Sequence, residues 1–220
     1  MIPVIAIDGP SASGKGTVAE RVARTLGFHY LDSGALYRVT ALAAHRAGLA
    51  LDAAPALGEL AARLPVRFEG GDVCLSEQVV TDDIRTEDCS RDASLVAAVP
   101  QVRAGLLVRQ RAFRQAPGLV ADGRDMGSVV FPDAVLKVFL TASAAVRAER
   151  RYNQLMNKGI PANMQVLLRD IEARDARDAS RAVAPLQQGN ALLLDTTHLT
   201  IEQAVERVLS WYAAAKPPSS

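Results

Sequence analysis

An apolar run, Val4-Ile5-Ala6-Ile7, leads into Gly9 to Thr17, GPSASGKGT, and that loop leads into a stretch with Val18, Val22 and Leu26 four residues apart. A strand, a glycine-rich loop and a helix in this order constrain the chain more than any other feature. The order lets several backbone N–H groups converge on an oligophosphate at the positive end of a helix. Gly9 and Gly14 tolerate unusual backbone angles and leave no Cβ in the ligand's way. Lys15 adds a mobile point charge, and Gly27 ends the helix. The loop residues Gly9, Pro10, Ser11, Ala12, Ser13, Gly14, Lys15, Gly16 and Thr17 are therefore the expected seat of a nucleoside triphosphate. An ordinary glycine-rich turn would not require the strand before it and the helix after it.

With 220 residues, 49% hydrophobic and 22% charged, the chain can bury one sizeable core and carry a small inserted subdomain. Lys and Arg number 25 against 24 for Asp and Glu, so no global basic field points to nucleic acid or a membrane surface. The start, Met1-Ile2-Pro3, has no basic, apolar leader, and no run approaches the ~20 apolar residues of a spanning helix. A cytoplasmic location is expected. Two cysteines, Cys74 and Cys89, and three scattered histidines, His29, His45 and His198, argue against a zinc site or a disulfide framework. No apolar heptad or spare helical face stands out, so a monomer is the default.

Five short apolar runs share one grammar. Val4–Ile7 ends at Asp8, His29–Leu31 at Asp32, Leu119–Ala121 at Asp122, Val135–Leu140 at Thr141, and Ala191–Leu194 at Asp195. Each reads as a buried parallel strand with a helix-patterned segment after it, which predicts an α/β fold with helices on both faces of the sheet. Ligands of such sheets sit outside the carboxyl ends of the strands, so the polar endings should face one crevice, although an Asp there can also cap the next helix. Pro65 to Arg85 changes period: Val66 and Phe68, a Gly70-Gly71 turn, Val73 and Leu75, then Val79 and Val80 predict a small antiparallel meander. Lys216 to Ser220 reads as a frayed tail. From Pro161 to Ala182 the pattern is helical, with Arg174, Arg177 and Arg181 at spacings that share one face. That face is either a solvated set of ion pairs with Asp170 and Asp178 or a cationic lid entered near Gly159 and Pro161.

After Lys15, where most P-loop NTPases place a metal-binding Ser or Thr, stands Gly16. GKGT resembles the nucleoside and nucleotide monophosphate kinases, whose metal is held more by water and nucleotide. The only candidate for a GTPase base-reading motif, Asn157-Lys158-Gly159-Ile160, lacks the Asp. Asp32 to Arg38 (DSGALYR), Ala121 to Gly127 (ADGRDMG) and Arg174 to Pro185 (RDARDASRAVAP), with the loop and the meander, together resemble the bacterial cytidylate kinases from about residue 2 to about residue 212. Ser13, where small residues are usual, leaves the loop geometry intact.

The resemblance implies one P-loop kinase domain over 1–220, with a core of 1–62, 101–149 and 183–214, a nucleotide-binding β insert over 63–100 and a lid over 150–182. It implies transfer of the ATP γ-phosphoryl group to CMP or dCMP with Mg²⁺. Lys15 would bridge the phosphates, Arg38 and Arg124 hold the monophosphate, and Arg177 and Arg181 bear on the transferring group. Asp122 would orient Mg²⁺ through water. Ser33, Arg103 and Asp125 would read the cytosine, with Arg181 close to the same ligand, and Arg174, Asp178 and Ser94 would serve the ribose. From spacing alone, Ser94 and Arg103 are ordinary surface residues, and Asp125 is equally a salt-bridge partner of Arg124. A related kinase acting on UMP or shikimate, or a nucleotide-binding switch without turnover, are the alternative readings.

Overall fold

The computed structural model describes residues 1–69 and 71–215. Gly70 of the expected turn and the tail from Lys216 to Ser220 lie outside the described residues. The elements begin with β1 (Val4–Asp8), α1 (Lys15–Leu26), β2 (His29–Asp32), α2 (Ser33–Arg46), α3 (Ala54–Ala62), β3 (Val66–Glu69), β4 (Asp72–Leu75) and β5 (Gln78–Val79). They continue with α4 (Glu87–Val96), α5 (Pro100–Ala112), β6 (Leu119–Gly123) and β7 (Leu136–Thr141). The last four are α6 (Ala144–Asn157), α7 (Met164–Ala179), β8 (Leu192–Asp195) and α8 (Ile201–Ala215). Two compact units result, one of Met1–Leu31 with the chain from Phe113 onward, the other of Asp32–Ala112.

The first unit holds the predicted parallel sheet, in the order β2-β6-β1-β7-β8. Val4, Ile5, Ala6 and Ile7 are completely buried because β1 is the central strand, covered on both faces. Val18 and Val22 of α1 and Val208 and Tyr212 of α8 pack with Ile5, Ile7 and Val138 into one core, and Phe28 meets Tyr212 edge-on at 5.8 Å. Each such side chain stabilises the fold by roughly 1.5–3 kcal/mol. The expectation that all five strands are buried holds for the inner three and fails at the rims. In β8, Leu192 and Leu193 remain about half exposed, since an edge strand lacks a neighbour on one side. Register places Ile7 beside Asp122 and Asp8 beside Gly123, so the ends of β1 and β6 stand level.

Helix α7 is shorter than the pattern from Pro161 to Ala182 predicts. The Asn163 side chain accepts from the N–H groups of Gln165 and Val166 and so sets the start, and the helix stops at Ala179. Arg174 and Arg177 are helical, whereas Arg181 lies beyond the C-terminal turn, and the shared-face argument does not extend to it. The end of α6 is closed by Gly159 at φ 72°, with Gly159 N–H on Met156 O and Ile160 N–H on Leu155 O.

In the second unit, β3-β4-β5 form the predicted antiparallel meander, with Val66 opposite Leu75 and Cys74 opposite Val79. Val66, Val73 and Leu75 face inward, while Phe68 and Val79 are exposed. Helices α2 to α5 complete this unit. Asp32 caps α2 by accepting from Ala35 N–H, and Thr86 caps α4 by accepting from Cys89 N–H.

Candidate functional site

Between β1 and α1 the chain forms a tight cradle. A Cβ on Gly9 would stand 2.0 Å from the carbonyl oxygen of Leu140, so no other residue fits there. Ala12 is held at φ 57°, a left-handed conformation that an alanine adopts only at some cost. The loop is braced from behind: Arg147 donates to Ser11 O at 3.2 Å, and Arg150 donates to Ser13 O and to Thr196 Oγ1, both at 3.1 Å. Helix α1 has no side-chain cap and no acidic residue in its first turn, which leaves its positive end open to an anion. The hydroxyls of Ser11 and Ser13 are buried with no hydrogen-bond partner. Orphaned hydroxyls in a strained, braced loop fit an oligophosphate that would satisfy them. Lys15 opens α1, and its Nζ reaches Pro10 O at 3.4 Å.

Asp122, 4% exposed at the end of β6, accepts a 2.9 Å hydrogen bond from the hydroxyl of Tyr30. A Cβ on Gly16 would lie 3.1 Å from Asp122 Oδ2 and 3.5 Å from the Tyr30 hydroxyl. The position where other phosphate loops carry a metal-binding hydroxyl is thus kept clear for this pair.

Beside them stands a buried group of opposite charges. Arg124 Nε donates to Asp178 Oδ2 at 2.7 Å, and Arg181 donates to Asp178 Oδ1. Asp178 is completely buried, and the Arg181 side chain is only 5% exposed. Burial alone would raise the Asp178 carboxyl. The charges of Arg124 and Arg181, the Arg124 hydrogen bond and the charge of Arg174 outweigh it and hold the group below the usual carboxylate range. Its contribution to stability is therefore present above the unfolded-state value and lost as pH falls through the depressed one. Asp125 is 3% exposed, and Arg174 and Arg177 are half-buried on α7. Arg124, Asp125, Arg174, Asp178 and Arg181 belong to the same unit as the phosphate loop.

The second unit carries the other expected residues. Ser33 is buried at the start of α2, and Arg38 donates to Asp32 Oδ2 at 2.6 Å, so Asp32 both caps the helix and orients an arginine. Ser94 and Arg103, ordinary surface residues by spacing, are 2% and 8% exposed. Arg103 donates to Ala97 O at 3.2 Å, and its guanidinium lies 5.6 Å from the centre of the Tyr37 ring.

A family model described as cytidylate kinase matches residues 5–214. The chain belongs to the cytidylate kinase family. A cytidylate kinase of Chromobacterium violaceum is 62% identical over 212 residues, 96% of each chain. One of Polynucleobacter asymbioticus is 59% identical over 215 residues, 97% of this chain and 98% of that one. Among solved structures, an uncharacterized protein from Eubacterium ventriosum superposes with a TM-score of 0.54 at 12% identity, covering 97% of this chain and 99% of that one. That likeness is one of fold alone. No helix among the described residues is long and apolar enough to cross a membrane.

Three features of this cytidylate kinase fold escape motif reading: the Tyr30 contact to Asp122, the Arg147 and Arg150 braces, and the work of Asp8. Asp8 appears in sequence only as a strand ending. In the structure its two oxygens accept from the N–H groups of Met126 and Gly127, each at 2.8 Å. Burial, the largest cause, pushes its carboxyl up to about 6; the two amide bonds pull back, the Asp125 charge adds to the rise and Arg124 opposes it. Because the folded value lies above the unfolded one, 3.8, the protonated form favours folding. That contribution is complete below the unfolded value and is lost as pH rises through about 6. Relative to Asp8→Asn, which cannot titrate, the wild type should lose about 2 kcal/mol between about pH 4.5 and about pH 7.5. Urea denaturation of both proteins at the two pH values checks this, and a constant difference would contradict it.

Proposed function

We propose that this chain transfers the γ-phosphoryl group of ATP to a phosphate oxygen of CMP or dCMP, giving ADP and CDP or dCDP. The observation that supports it most is the braced phosphate loop, with its orphaned buried hydroxyls, in the same compact unit as the arginine-rich group around Asp178. Phosphoryl transfer to another phosphate needs no general base, because the acceptor oxygen is already anionic near neutral pH. It needs charge clamps, alignment and exclusion of water.

The loop amides from Gly9 to Thr17 would hold the ATP phosphates, and Lys15 would follow the migrating group. Arg124 and Arg38 would take the acceptor phosphate, and Arg177 and Arg181 the charge that develops during transfer. Asp125, Arg103 and Ser33 would read the cytosine, and Arg174, Asp178 and Ser94 the sugar. Each oxygen of an ionised carboxylate offers about two acceptor sites, so Asp178 can orient two arginines and still accept from a hydroxyl. Among the described residues no cluster of three metal-ligating side chains exists. One carboxylate at a strand end fits a cation that is carried by nucleotide phosphates and waters. Asp122, steadied by Tyr30, would orient the waters of Mg²⁺, and the ion would neutralise phosphate charge. The enzyme is taken to work as a cytoplasmic monomer on small nucleotides.

A coupled ADP-release assay across CMP, dCMP, UMP, AMP and shikimate tests the reading. Rapid turnover with CMP and dCMP, abolished by excess EDTA, is the expected result. Faster turnover with UMP or shikimate would transfer the assignment to a related kinase, and no acceptor-dependent ADP release would leave a nucleotide-binding switch.

A further inference from the structure

We propose that Asp175 is a positioning residue that couples the acceptor nucleotide to the triphosphate, acting on the phosphate loop through Arg147. The Arg147 guanidinium gathers three partners. Its Nε donates to Ala142 O at 2.9 Å, its Nη1 to Ser11 O at 3.2 Å, and its Nη1 and Nη2 to Asp175 Oδ1 and Oδ2 at 3.1 and 2.5 Å. A planar fork holds such a set at fixed angles, which a point charge cannot do. The Ser11 carbonyl and the Ala12 N–H share one trans peptide plane and point opposite ways, so fixing the carbonyl also fixes the direction of the amide. Ala12 needs that hold, because it stands at φ 57°. The other end of the bridge is α7, where Asp175 and Asp178 lie three residues apart and are neighbours on the helix surface. Asp178 takes Arg124 and Arg181, and Asp175 takes Arg147. One turn of α7 thus grips an arginine assigned to the acceptor phosphate and an arginine that braces the loop assigned to ATP. The Arg147 side chain is 5% exposed and that of Asp175 29%, which sets the pair apart from solvated surface pairs of little consequence. All of these residues belong to one compact unit. A ligand that orders α7 through Arg174 and Asp178 is thereby linked to the loop, and by reciprocity a triphosphate on the loop favours the acceptor equally. This inference rests on the proposed assignment of ATP and CMP to these residues.

Calorimetric titration of the full chain with the non-transferable analogue β,γ-imido-ATP and Mg²⁺, with and without saturating CMP, tests it. In the wild type, CMP should tighten binding of the analogue by about fivefold or more. Asp175→Asn keeps the size of the side chain but loses its charge and one accepting oxygen. It should cut that gain to less than about twofold, while circular dichroism stays that of the wild type. Loss of a negative charge alone would instead tighten the analogue equally with and without CMP and leave the ratio unchanged. Asp133→Asn, which breaks the pair with Arg114 in the same unit, should keep the full ratio. If Asp175→Asn does not fold, Asp175→Ser is titrated in the same way. No tightening by CMP in the wild type, the wild-type ratio in a folded Asp175 variant, or an equal loss of the ratio in Asp133→Asn would overturn the proposal. A wild type that binds the analogue but not CMP would overturn the acceptor assignment on which the proposal rests, which is a distinguishable outcome.

Discussion

Replacing Lys15 by Ala should leave the fold intact and lower kcat by at least about a hundredfold. The first part follows from placement: the loop geometry is held by Gly9, where no Cβ fits, and by the Arg147 and Arg150 braces. The second follows from charge. An ammonium group that moves with the migrating phosphoryl interacts more strongly with the transition state than with bound ATP, so its loss appears in kcat more than in KM. Thermal melting and initial rates on the purified variant are sufficient. Near-normal turnover by a folded Lys15→Ala protein would remove the loop from the reaction.

The second large effect concerns base choice. Asp125 is buried two residues beyond the end of β6, and Arg103 is buried in its own unit over Tyr37. Cytosine presents an amino donor beside ring acceptors, whereas uracil reverses the first two groups. A carboxylate that accepts from the amino group is left facing a carbonyl when UMP enters, and the mismatch should cost about 10²-fold or more in kcat/KM. Asp125→Asn can donate as well as accept, so it should lose CMP activity and narrow the gap to UMP. Asp125→Ala should lose CMP activity with no specific gain. The readout is kcat/KM for both nucleotides at fixed Mg·ATP, and an unchanged CMP to UMP ratio in both variants would exclude Asp125 as the base reader.

The phosphate loop and the central strands were legible in the sequence because their signals are local. Val4 to Ile7 is a continuous apolar run, and the glycines and Lys15 follow within nine residues. Rank in the sheet was not legible: β8 is as apolar as β1, and only the strand order makes one an edge and the other the centre. The work of Asp8 depends on Met126 and Gly127, 118 and 119 residues away, and that of Asp122 on Tyr30, 92 residues away. No periodicity encodes such pairings. Ser94 and Arg103 looked like surface residues because polar side chains usually are, and their burial reflects how α4 and α5 sit in the second unit. The spacing places Arg181 on a helical face that ends before it, yet the side chain still reaches Asp178 from beyond the C-terminus of α7.

The most direct test follows the transferred atom. With ATP labelled at the γ-phosphorus, Mg²⁺ and CMP, the label should appear in the β-phosphate of CDP at the rate at which ADP forms. Label released as inorganic phosphate, or ADP formed with no labelled CDP, would contradict phosphoryl transfer to CMP.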